Sequence, residues 1–380
     1  MRTLRLLALV GSLCATSQAW SQWGDVYAMS NGATENRIAV LGRHADGTLA
    51  IKGTYSTGGQ GSGVGTADPF DALGSQNSLL LSQDRHWLFA VDAGSNQVSV
   101  LRIEGDRLVL TDVVPSGGSY PASLAQRGDV LEVLNAGEGG NITGFRIGFD
   151  AHLHPIPGST RLLHAVTPYV GSQPNSFYTP TQVQFTPDGD WLVVPVKNLA
   201  GIGTLQMFRV GWDGAVAQKP LVTNDLEPLP FGFMFDRRGH LLITEADTAS
   251  MSSYEVGENG ALEVISPLVK TGQIATCWVD GTDHFLYASN TNANTLSGFA
   301  LGRNGSLTLL EPSGIAADLG ANHEPADVKV SGDQQFLYVS NTGAGTVATF
   351  RINPRNGKLT ALGETAVFPP LSGMAGLTAQ

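Results

Sequence analysis

Cysteine, positive charge and long apolar runs are all scarce in this chain of 380 residues. It has 2 cysteines, and its 22 lysines and arginines stand against 33 aspartates and glutamates, which gives a net charge of −11. The basic residues form no cluster, whereas nucleic acids and anionic membranes require a concentrated basic face. After residue 20 no apolar run is long enough to cross a bilayer. We therefore expect a protein that binds neither nucleic acid nor membrane.

The N-terminal segment has the pattern of a secretory signal peptide. Arg2 and Arg5 precede an apolar stretch from Leu6 to Ala15, and a small-x-small pattern ends at Ala19. A membrane anchor is the alternative, but the apolar stretch is too short to span a bilayer. We expect residues 1–19 to be the signal peptide, with cleavage near 19–22, and the mature protein to be secreted or periplasmic.

The two cysteines are not expected to form a disulfide bond. Cys14 lies in the predicted signal peptide, so Cys277 is the one thiol expected in the mature protein. It lies in the apolar context "IATCWV", which is typical of a buried structural cysteine rather than a catalytic thiol.

A pattern seen in "FLYVSNTGAGTVATFRINPRNGKL", residues 336–359, recurs along the chain. It has an apolar run, a break rich in Asn, an alternating run and a Gly-containing turn, and a short run with an Asp- and Gly-rich turn precedes it. Further copies begin at Val26, Leu88, Val130, Trp191, Leu241 and Phe285. The spacing of roughly 52 residues is typical of propeller repeats. We predict an all-β fold, a seven-bladed β-propeller with four antiparallel strands per blade, as a single domain over residues 23–380.

The two ends of the chain complement each other in this repeat. The first copy has no inner strand before it, and the last copy is followed by the surplus segment "LSGMAGLTAQ". We predict that Ser372 to Ala379 supplies the inner strand of the first blade and so closes the ring.

Candidate site residues come from the breaks between second and third strands and from the loops that enter the inner strands. Both sets lie on one face of an up-and-down blade. Five of the seven breaks offer Asn or Asp, which often only stabilise their own turns. Lys197 and Glu245 depart from that rule and suit acid–base chemistry. His323 is a further candidate base beside Glu324, although both residues also suit loop capping.

From these positions we predict three catalytic residues and seven binding residues. The catalytic candidates are Glu245, Lys197 and His323. The binding candidates are Asn31, Asp92, Asn135, Asp247, Asn290, Glu324 and Asn341. No metal site is predicted.

Other catalytic motifs are weak or missing. The sequence has no Gly-x-Ser-x-Gly elbow, no His-Glu-x-x-His and no phosphate-binding Gly-Lys-Ser/Thr loop. The Gly-rich "GGQGSGVG", residues 58–65, follows an outer strand and opens no helix, so we interpret it as a flexible crossing loop.

The segments "TPDGDWLVV" and "SGDQQFLYVSNTGAGTVATFRINPRNGKL" resemble the lactonase-family seven-bladed propellers. That family includes the propeller-type 6-phosphogluconolactonases and the carboxymuconate-lactonizing enzymes. The resemblance covers nearly all of the mature chain, and "VLNAGEGGNITGFRI", "PFGFMFDRRGHLLITEAD" and "GMAGLTA" are similar to a secreted subgroup. It implies the opening or closing of an ester ring.

The chain departs from the family pattern at two histidines. Family enzymes tend to have His after Pro at the entrance of the middle inner strands, where this chain has Pro180-Thr181-Gln182 and Pro230-Phe231-Gly232. The Glu after the second strand of the fifth unit is retained as Glu245. Without the histidines, another base, Lys197 or His323, or a bound cation must activate water.

The resemblance and these departures leave two functions open. The first is a secreted lactonase-like hydrolase acting on the ester bond of a small sugar or carboxylic acid lactone, with water activated near Glu245 and the oxyanion stabilised by Lys197 or by amides of the Asn breaks. The alternative is a catalytically inactive propeller that binds a small ligand or protein partner at its central mouth. Either protein is expected to be a monomer whose partner is a small-molecule lactone or a carbohydrate-derived ligand.

The prediction for cofactors is that none is required. An alternative form of the hydrolase hypothesis is that the enzyme uses a divalent cation, with Glu245, Asp247 and Asn side chains as oxygen ligands.

Overall fold

The computed structural model describes residues 24–380. The predicted signal peptide, its cleavage site and Cys14 lie outside the described residues. Within them the chain is built of β-strands, with one short 3₁₀ turn at Thr291–Ala293. No helix in this described part is long and apolar enough to cross a membrane.

The strands form seven antiparallel sheets, one per blade, and a separate small hairpin. The first three blades contain β1 (Asp25–Met29), β2 (Arg37–Arg43) and β3 (Leu49–Ser56); β4 (Leu79–Leu81), β5 (Trp87–Asp92), β6 (Gln97–Glu104) and β7 (Arg107–Pro115); and β8 (Pro121–Arg127), β9 (Val130–Asn135), β10 (Asn141–Ile147), β11 (Leu153–Pro155) and β12 (Arg161–Leu162). The hairpin that follows is β13 (Tyr169–Val170) with β14 (Gln173–Pro174).

The remaining four blades complete the ring. They contain β15 (Gln184–Phe185), β16 (Trp191–Val196), β17 (Gly203–Arg209) and β18 (Leu221–Leu226); β19 (Pro230–Phe235), β20 (Leu241–Glu245), β21 (Ser250–Val256) and β22 (Leu262–Lys270); β23 (Thr276–Gly281), β24 (Phe285–Asn290), β25 (Thr295–Leu301), β26 (Leu307–Leu309) and β27 (Ala317–Asp318); and β28 (Pro325–Val330), β29 (Phe336–Asn341), β30 (Thr346–Ile352) and β31 (Leu359–Ala366). The last strand, β32 (Leu377–Ala379), belongs to the first blade. The predicted seven-bladed all-β propeller is confirmed.

Ring closure follows the prediction as well. β32 pairs antiparallel with β1, so that Leu377 faces Ala28 and Ala379 faces Val26. The pairing is shorter than the predicted Ser372–Ala379 inner strand. Upstream of it, the amide of Gly376 donates to Oδ2 of Asp327 at 2.9 Å, which holds the closing segment against the seventh blade. The strand therefore joins the first and last blades through the two ends of the chain.

Two blades depart from four continuous strands. In the third and sixth blades the outer strand is in two pieces, β11 with β12 and β26 with β27. Pro155 and Pro157 interrupt the first of these, and Pro312 interrupts the second. Proline has no amide hydrogen to donate to a ladder, so the outer strand breaks there.

Apolar side chains fill the spaces between neighbouring blades. Leu134 and Ile142 of the third blade, for example, form one cluster with Leu192 and Phe208 of the fourth, and all four are fully buried. The second strand of each blade is buried at nearly every position, on both faces, which explains the nearly continuous apolar runs in the repeat.

The centre of the ring is closed by a segment that no repeat predicts. Residues 71–77, which we call the plug, end the long loop between β3 and β4 and cross the axis. The Ser75 hydroxyl donates to the Ala122 carbonyl of the third blade at 2.7 Å, and the Gln76 backbone amide donates to the Thr181 carbonyl of the fourth. The Gln76 side chain donates to the Val279 carbonyl and accepts from the Val279 amide of the sixth blade. The plug separates an upper mouth, on the face of the Asn-rich breaks, from a lower mouth.

Candidate functional site

A cavity of about 100 Å³ lies at the upper mouth, above the plug. Lys197, Ala246 and Asn292 line it from the breaks of the fourth, fifth and sixth blades. Phe231 and Cys277 line it from the inner strands of the fifth and sixth blades. The strand connectivity predicts that breaks and inner-strand entrances meet on one face, and this cavity is where they do.

Lys197 is the predicted catalytic residue that lies in this cavity. It follows the last residue of β16 and is buried, with 3% of its surface exposed. Its ammonium nitrogen donates to the Gly74 carbonyl of the plug at 2.9 Å and lies 4.5 Å from the centre of the Phe231 ring. Burial lowers the pKa of Lys197 below its ordinary value, and the nearby carboxylate of Asp71 opposes that change.

Asp71, which the repeat pattern does not single out, supplies the opposite charge. It begins the plug and lines the same cavity, and its Oδ1 accepts from the Gly74 amide at 2.7 Å. Burial raises the pKa of Asp71 to about 7, while the Lys197 charge acts in the other direction. Gly74 thus holds both groups, the carboxylate through its N–H and the ammonium through its C=O.

Gly74 has a positive φ of +62°, in the left-handed region that favours glycine. A Cβ there would lie 3.1 Å from the Lys197 nitrogen and 3.0 Å from the Ser176 Cβ. The glycine therefore provides both the turn and the space that the close approach of Lys197 requires.

The aromatic wall of the cavity is fixed to the plug. The Trp278 indole N–H donates to the Ser75 carbonyl at 2.9 Å, and the Trp278 ring packs edge-on against Phe231 at 4.7 Å between centres. Cys277, beside it, is buried as predicted, and burial raises the pKa of its thiol. A thiol in this setting stays protonated, which does not suit a nucleophile.

Glu245 is buried but its charged neighbours are other carboxylates. It ends β20 with 1% of its surface exposed, and its Oε2 accepts no hydrogen bond from any described residue. Burial raises the pKa of Glu245 well above its ordinary value, and Asp247 and Glu227 raise it further. The next residue, Ala246, lines the cavity, and Glu245 itself does not. The structure therefore pairs Lys197 with Asp71 rather than with Glu245.

His323 lies in the seventh blade, away from these groups. Its Nε2 is 3.2 Å from Oε1 of Glu364, and its Nδ1 faces the Gly320 carbonyl at 3.0 Å. Glu324 has a positive φ of 44°, and burial raises the pKa of its carboxyl. Asn294 accepts from the backbone amides of both residues, as a capping side chain does. Neither lines the upper cavity.

The Asn and Asp residues of the breaks bond strands and loops, both within their own blades and to neighbouring ones. Asn290 bonds Thr276, Thr295 and Ser297, all within the sixth blade. The remaining predicted binding residues of this kind are placed as follows: Asn31 bonds the loop at Ser62 and Gly63 and also Gly373, Asp92 accepts from Asn36, Thr57 and Ser99, Asn135 donates to Ser116 and Asn141, and Asn341 donates to Thr346. Asp247 is exposed. The 58–65 loop is accordingly tied to its neighbours at Asn31.

The positions of the two missing family histidines are used for contacts between blades and with the plug. The Thr181 hydroxyl donates to the Phe231 carbonyl at 2.9 Å, and the Gln182 side chain both donates to and accepts from the backbone of Phe233. A Cβ at Gly232 would lie 2.5 Å from Oε1 of Gln76. A histidine at Thr181 would remove the hydroxyl that bonds the fifth blade, and a side chain at Gly232 would contact the Gln76 side chain of the plug.

Within residues 24–380 no three His, Cys, Asp or Glu side chains are grouped as a metal site requires. The upper mouth holds the buried carboxyl group of Asp71 and the buried amine of Lys197, both hydrogen-bonded to Gly74. The pKa of each group is displaced toward neutrality. Such a pair can accept a proton and stabilise a developing negative charge.

Comparison with known proteins agrees with the resemblance seen in the sequence. Residues 283–369 match the family model described as "Lactonase, 7-bladed beta-propeller". A comparison with curated protein sequences gives no significant match. The resemblance to lactonase-family seven-bladed propellers is confirmed.

Solved structures share the fold over nearly the whole chain. A periplasmic gluconolactonase from Pseudomonas aeruginosa is 17% identical with a TM-score of 0.70, and the match covers 93% of this chain and 98% of that one. A protein from Lactobacillus plantarum is 19% identical with a TM-score of 0.70, covering 94% and 99%. A Bacteroides fragilis protein, provisionally assigned as a 6-phosphogluconolactonase, is 16% identical with a TM-score of 0.70, covering 95% and 98%. At these identities the likeness establishes the fold.

Proposed function

We propose that this protein hydrolyses the ester bond of a small lactone at the upper mouth, with Asp71 and Lys197 as its catalytic residues. The observation that carries the proposal is the buried carboxylate and amine held by the two sides of Gly74. The match to the lactonase family model and the gluconolactonase fold support the reaction class. The substrate class is a sugar lactone or another carboxylic acid lactone.

The reaction needs Asp71 as a carboxylate and Lys197 as an ammonium. Asp71 removes a proton from water as the water oxygen attacks the lactone carbonyl carbon. Lys197 donates a hydrogen bond to the carbonyl oxygen and stabilises the negative charge that develops there. The bond from the carbonyl carbon to the ring oxygen then breaks, and Asp71 returns the proton to that oxygen. The product is the open hydroxy acid.

The cavity limits how much of a substrate is enclosed. Its volume of about 100 Å³ is below the ~300 Å³ at which typical ligand pockets begin. We infer that the ester group lies against the aromatic wall formed by Phe231 and Trp278, beside Lys197, and that the rest of the molecule lies at the rim, near Asn292 and Phe177. The exclusion of water around the ester strengthens the interaction with Lys197.

Location and assembly complete the proposal. The signal-peptide pattern at residues 1–19 supports a secreted or periplasmic protein, and we propose that it acts there as a monomer without a cofactor. Glu245 stays a second candidate for the base and His323 a third. Both rank below Asp71 because neither lines the cavity that holds Lys197.

A lactone panel tests the proposal directly. Purified mature protein is assayed with five- and six-membered sugar and aliphatic lactones, alongside Asp71→Asn. We expect hydrolysis of at least one lactone above background, and we expect the variant to turn that lactone over at least ~100-fold more slowly, the scale of a general base. The same assay with a chelator tests the hypothesis of a cation-dependent hydrolase. Inhibition by the chelator would favour that hypothesis.

The matched control is Glu132→Gln. Glu132 is buried in the third blade, and burial raises its pKa to about 8, but it does not line the upper cavity. The Glu132→Gln substitution therefore removes a buried carboxylate without changing a residue of the proposed mechanism, and we expect this variant to hydrolyse the lactone at the wild-type rate. Absence of hydrolysis with every lactone, or equal losses in both variants, would contradict the proposal. Ligand binding without turnover would instead favour the inactive propeller.

A further inference from the structure

The lower mouth holds a second and larger pocket, below the plug. Its volume is about 400 Å³, within the ~300–1,000 Å³ range of small-molecule sites. The pocket is lined by strands of the second to seventh blades, and the plug residues Gln76 and Asn77 form its roof. It shares no lining residue with the upper cavity.

Two cations enter this pocket from different sides of the ring. Arg127 ends β8 in the third blade, and Lys329 lies on β28 in the seventh. Both are half-buried. The one carboxylate lining the pocket, Asp280, accepts through Oδ2 from the Val330 amide. The pocket therefore carries net positive charge in a protein whose net charge is −11.

The Arg127 guanidinium has free donors. No hydrogen bond or ion pair joins its side chain to any residue in the described range 24–380, whereas the neighbouring Arg146 pairs with Asp129 at 2.7 Å. Gly189, with φ of +76°, leaves room for it, because a Cβ there would lie 2.0 Å from the Arg127 Nε. A planar guanidinium with unused donors suits a carboxylate, which it can bind through two parallel hydrogen bonds.

Amide side chains supply the remaining polar surface. Asn77 and Gln184 line the pocket, Oδ1 of Asn77 accepts from the Lys329 ammonium at 3.1 Å, and Oε1 of Gln184 accepts from Gln182. Their NH₂ groups have no acceptor among the described residues, whereas Gln126, which also lines the pocket, already bonds the Gln83 amide and the Gly128 carbonyl. Amides can donate to and accept from hydroxyl groups, so they suit a hydroxylated ligand. The pocket also has apolar walls, which are formed by Leu80, Leu124 and Phe233.

From this arrangement we propose that the lower mouth binds a small polyhydroxylated carboxylate, with its carboxylate on Arg127 and its hydroxyls toward Lys329 and the amides. The proposal is independent of lactone hydrolysis at the upper mouth, since the two sites share no residue.

Titration calorimetry with D-gluconate tests this site, with sorbitol and inorganic phosphate as comparison probes. We expect gluconate to bind the wild-type protein and sorbitol not to bind. Arg127→Gln should weaken gluconate binding by roughly tenfold or more, Arg127→Lys should weaken it less, and Arg127→Gln with Lys329→Gln should abolish it. Arg238→Gln removes the same charge from an exposed turn outside this pocket and should leave the affinity unchanged.

Three outcomes would overturn the proposal. One is no gluconate binding to the wild-type protein. Another is binding that Arg127→Gln and Arg238→Gln change equally. The third is phosphate binding as tight as gluconate binding, which would make the pocket a general anion site. Lactone hydrolysis measured on the same Arg127→Gln sample should equal the wild-type rate, which separates failure of this site from failure of the upper one.

Discussion

The two mouths of the propeller hold charge in different ways. At the upper mouth Lys197 and Asp71 are buried together, and burial moves both pKa values toward neutrality. At the lower mouth Arg127 and Lys329 are half-buried cations around a larger pocket. Buried groups with displaced pKa values can exchange protons, whereas accessible cations provide a fixed charge that attracts an anion. The comparison separates a site suited to chemistry from one suited to binding.

One segment produces this difference. The plug places Asp71 and Gly74 at the upper mouth and Asn77 at the lower mouth. Its Gln76 side chain bonds the fifth and sixth blades and so fixes the plug in the ring. Changes on either side of the plug should therefore affect one mouth and leave the other intact.

The largest expected effect is on catalysis at the upper mouth. Lys197→Met should slow turnover in lactone hydrolysis by about 10²–10³-fold, the scale seen when one oxyanion donor is lost. Steady-state kinetics on the best lactone measures the loss, and gluconate titration of the same sample should give the wild-type affinity. A turnover rate near that of the wild type would remove Lys197 from the mechanism.

Breaking the plug should damage both mouths. Gln76→Ala leaves the Val279 amide and carbonyl without their side-chain partners in a buried site. We expect a loss of about 2–4 kcal/mol in the free energy of unfolding, since each unsatisfied buried group costs roughly 1–3 kcal/mol. Urea unfolding measures it. Unchanged stability together with normal activity and gluconate binding would show that the plug does not organise the axis.

The buried Glu245 gives a pH-dependent effect on stability. Its folded-state pKa is raised, so the native protein loses stability as pH rises through that raised pKa, and the stability is retained at acid pH. Glu245→Gln cannot ionise and should escape this loss. We expect the variant to gain stability relative to the wild-type protein as pH rises above the ordinary glutamate pKa of 4.5, by about 1.4 kcal/mol for each unit by which burial raises the pKa. Urea unfolding of both proteins across this pH range measures the difference. Free energies of unfolding that change equally with pH in the two proteins would contradict the prediction.

The smallest effect should come from His323. Its ion pair with Glu364 is partly exposed, and such pairs contribute about 0–1 kcal/mol. His323→Gln should change the unfolding free energy by less than about 1 kcal/mol and should leave the turnover rate within about a factor of two of the wild type. A large loss of turnover would bring His323 back as the base in place of Asp71.

The repeat made the fold predictable from the sequence. Alternating runs and Asp- and Gly-rich turns recur in every blade, and the surplus segment at the C-terminus pairs with β1 as expected. Lys197 could be predicted as a site residue because it lies at a position where most other blades have Asn or Asp. The prolines at Pro155 and Pro312 are visible in the sequence, but the repeat pattern alone does not show that two outer strands divide there.

Asp71 and the plug were not predictable in the same way. They lie in the loop between β3 and β4, which has no counterpart in other repeats, and their contacts reach residues such as Val279 that are 203 positions away. Periodicity carries no information about such contacts. The contacts of Asn290 and Asp92 show why Asn and Asp at these positions are ambiguous in the sequence, since side chains that suit ligands also bond neighbouring strands and blades.

The pH dependence of kcat/KM for lactone hydrolysis tests the central claim most directly. With Asp71 as the base, the rate of the wild-type protein should rise as pH increases through about 7, the pKa to which burial raises this carboxyl, and fall again in the alkaline range as Lys197 loses its proton. Asp71→Asn should lose the rising limb near pH 7. A wild-type profile without that limb, or an Asp71→Asn profile that retains it, would contradict the assignment of Asp71 as the base at the upper mouth.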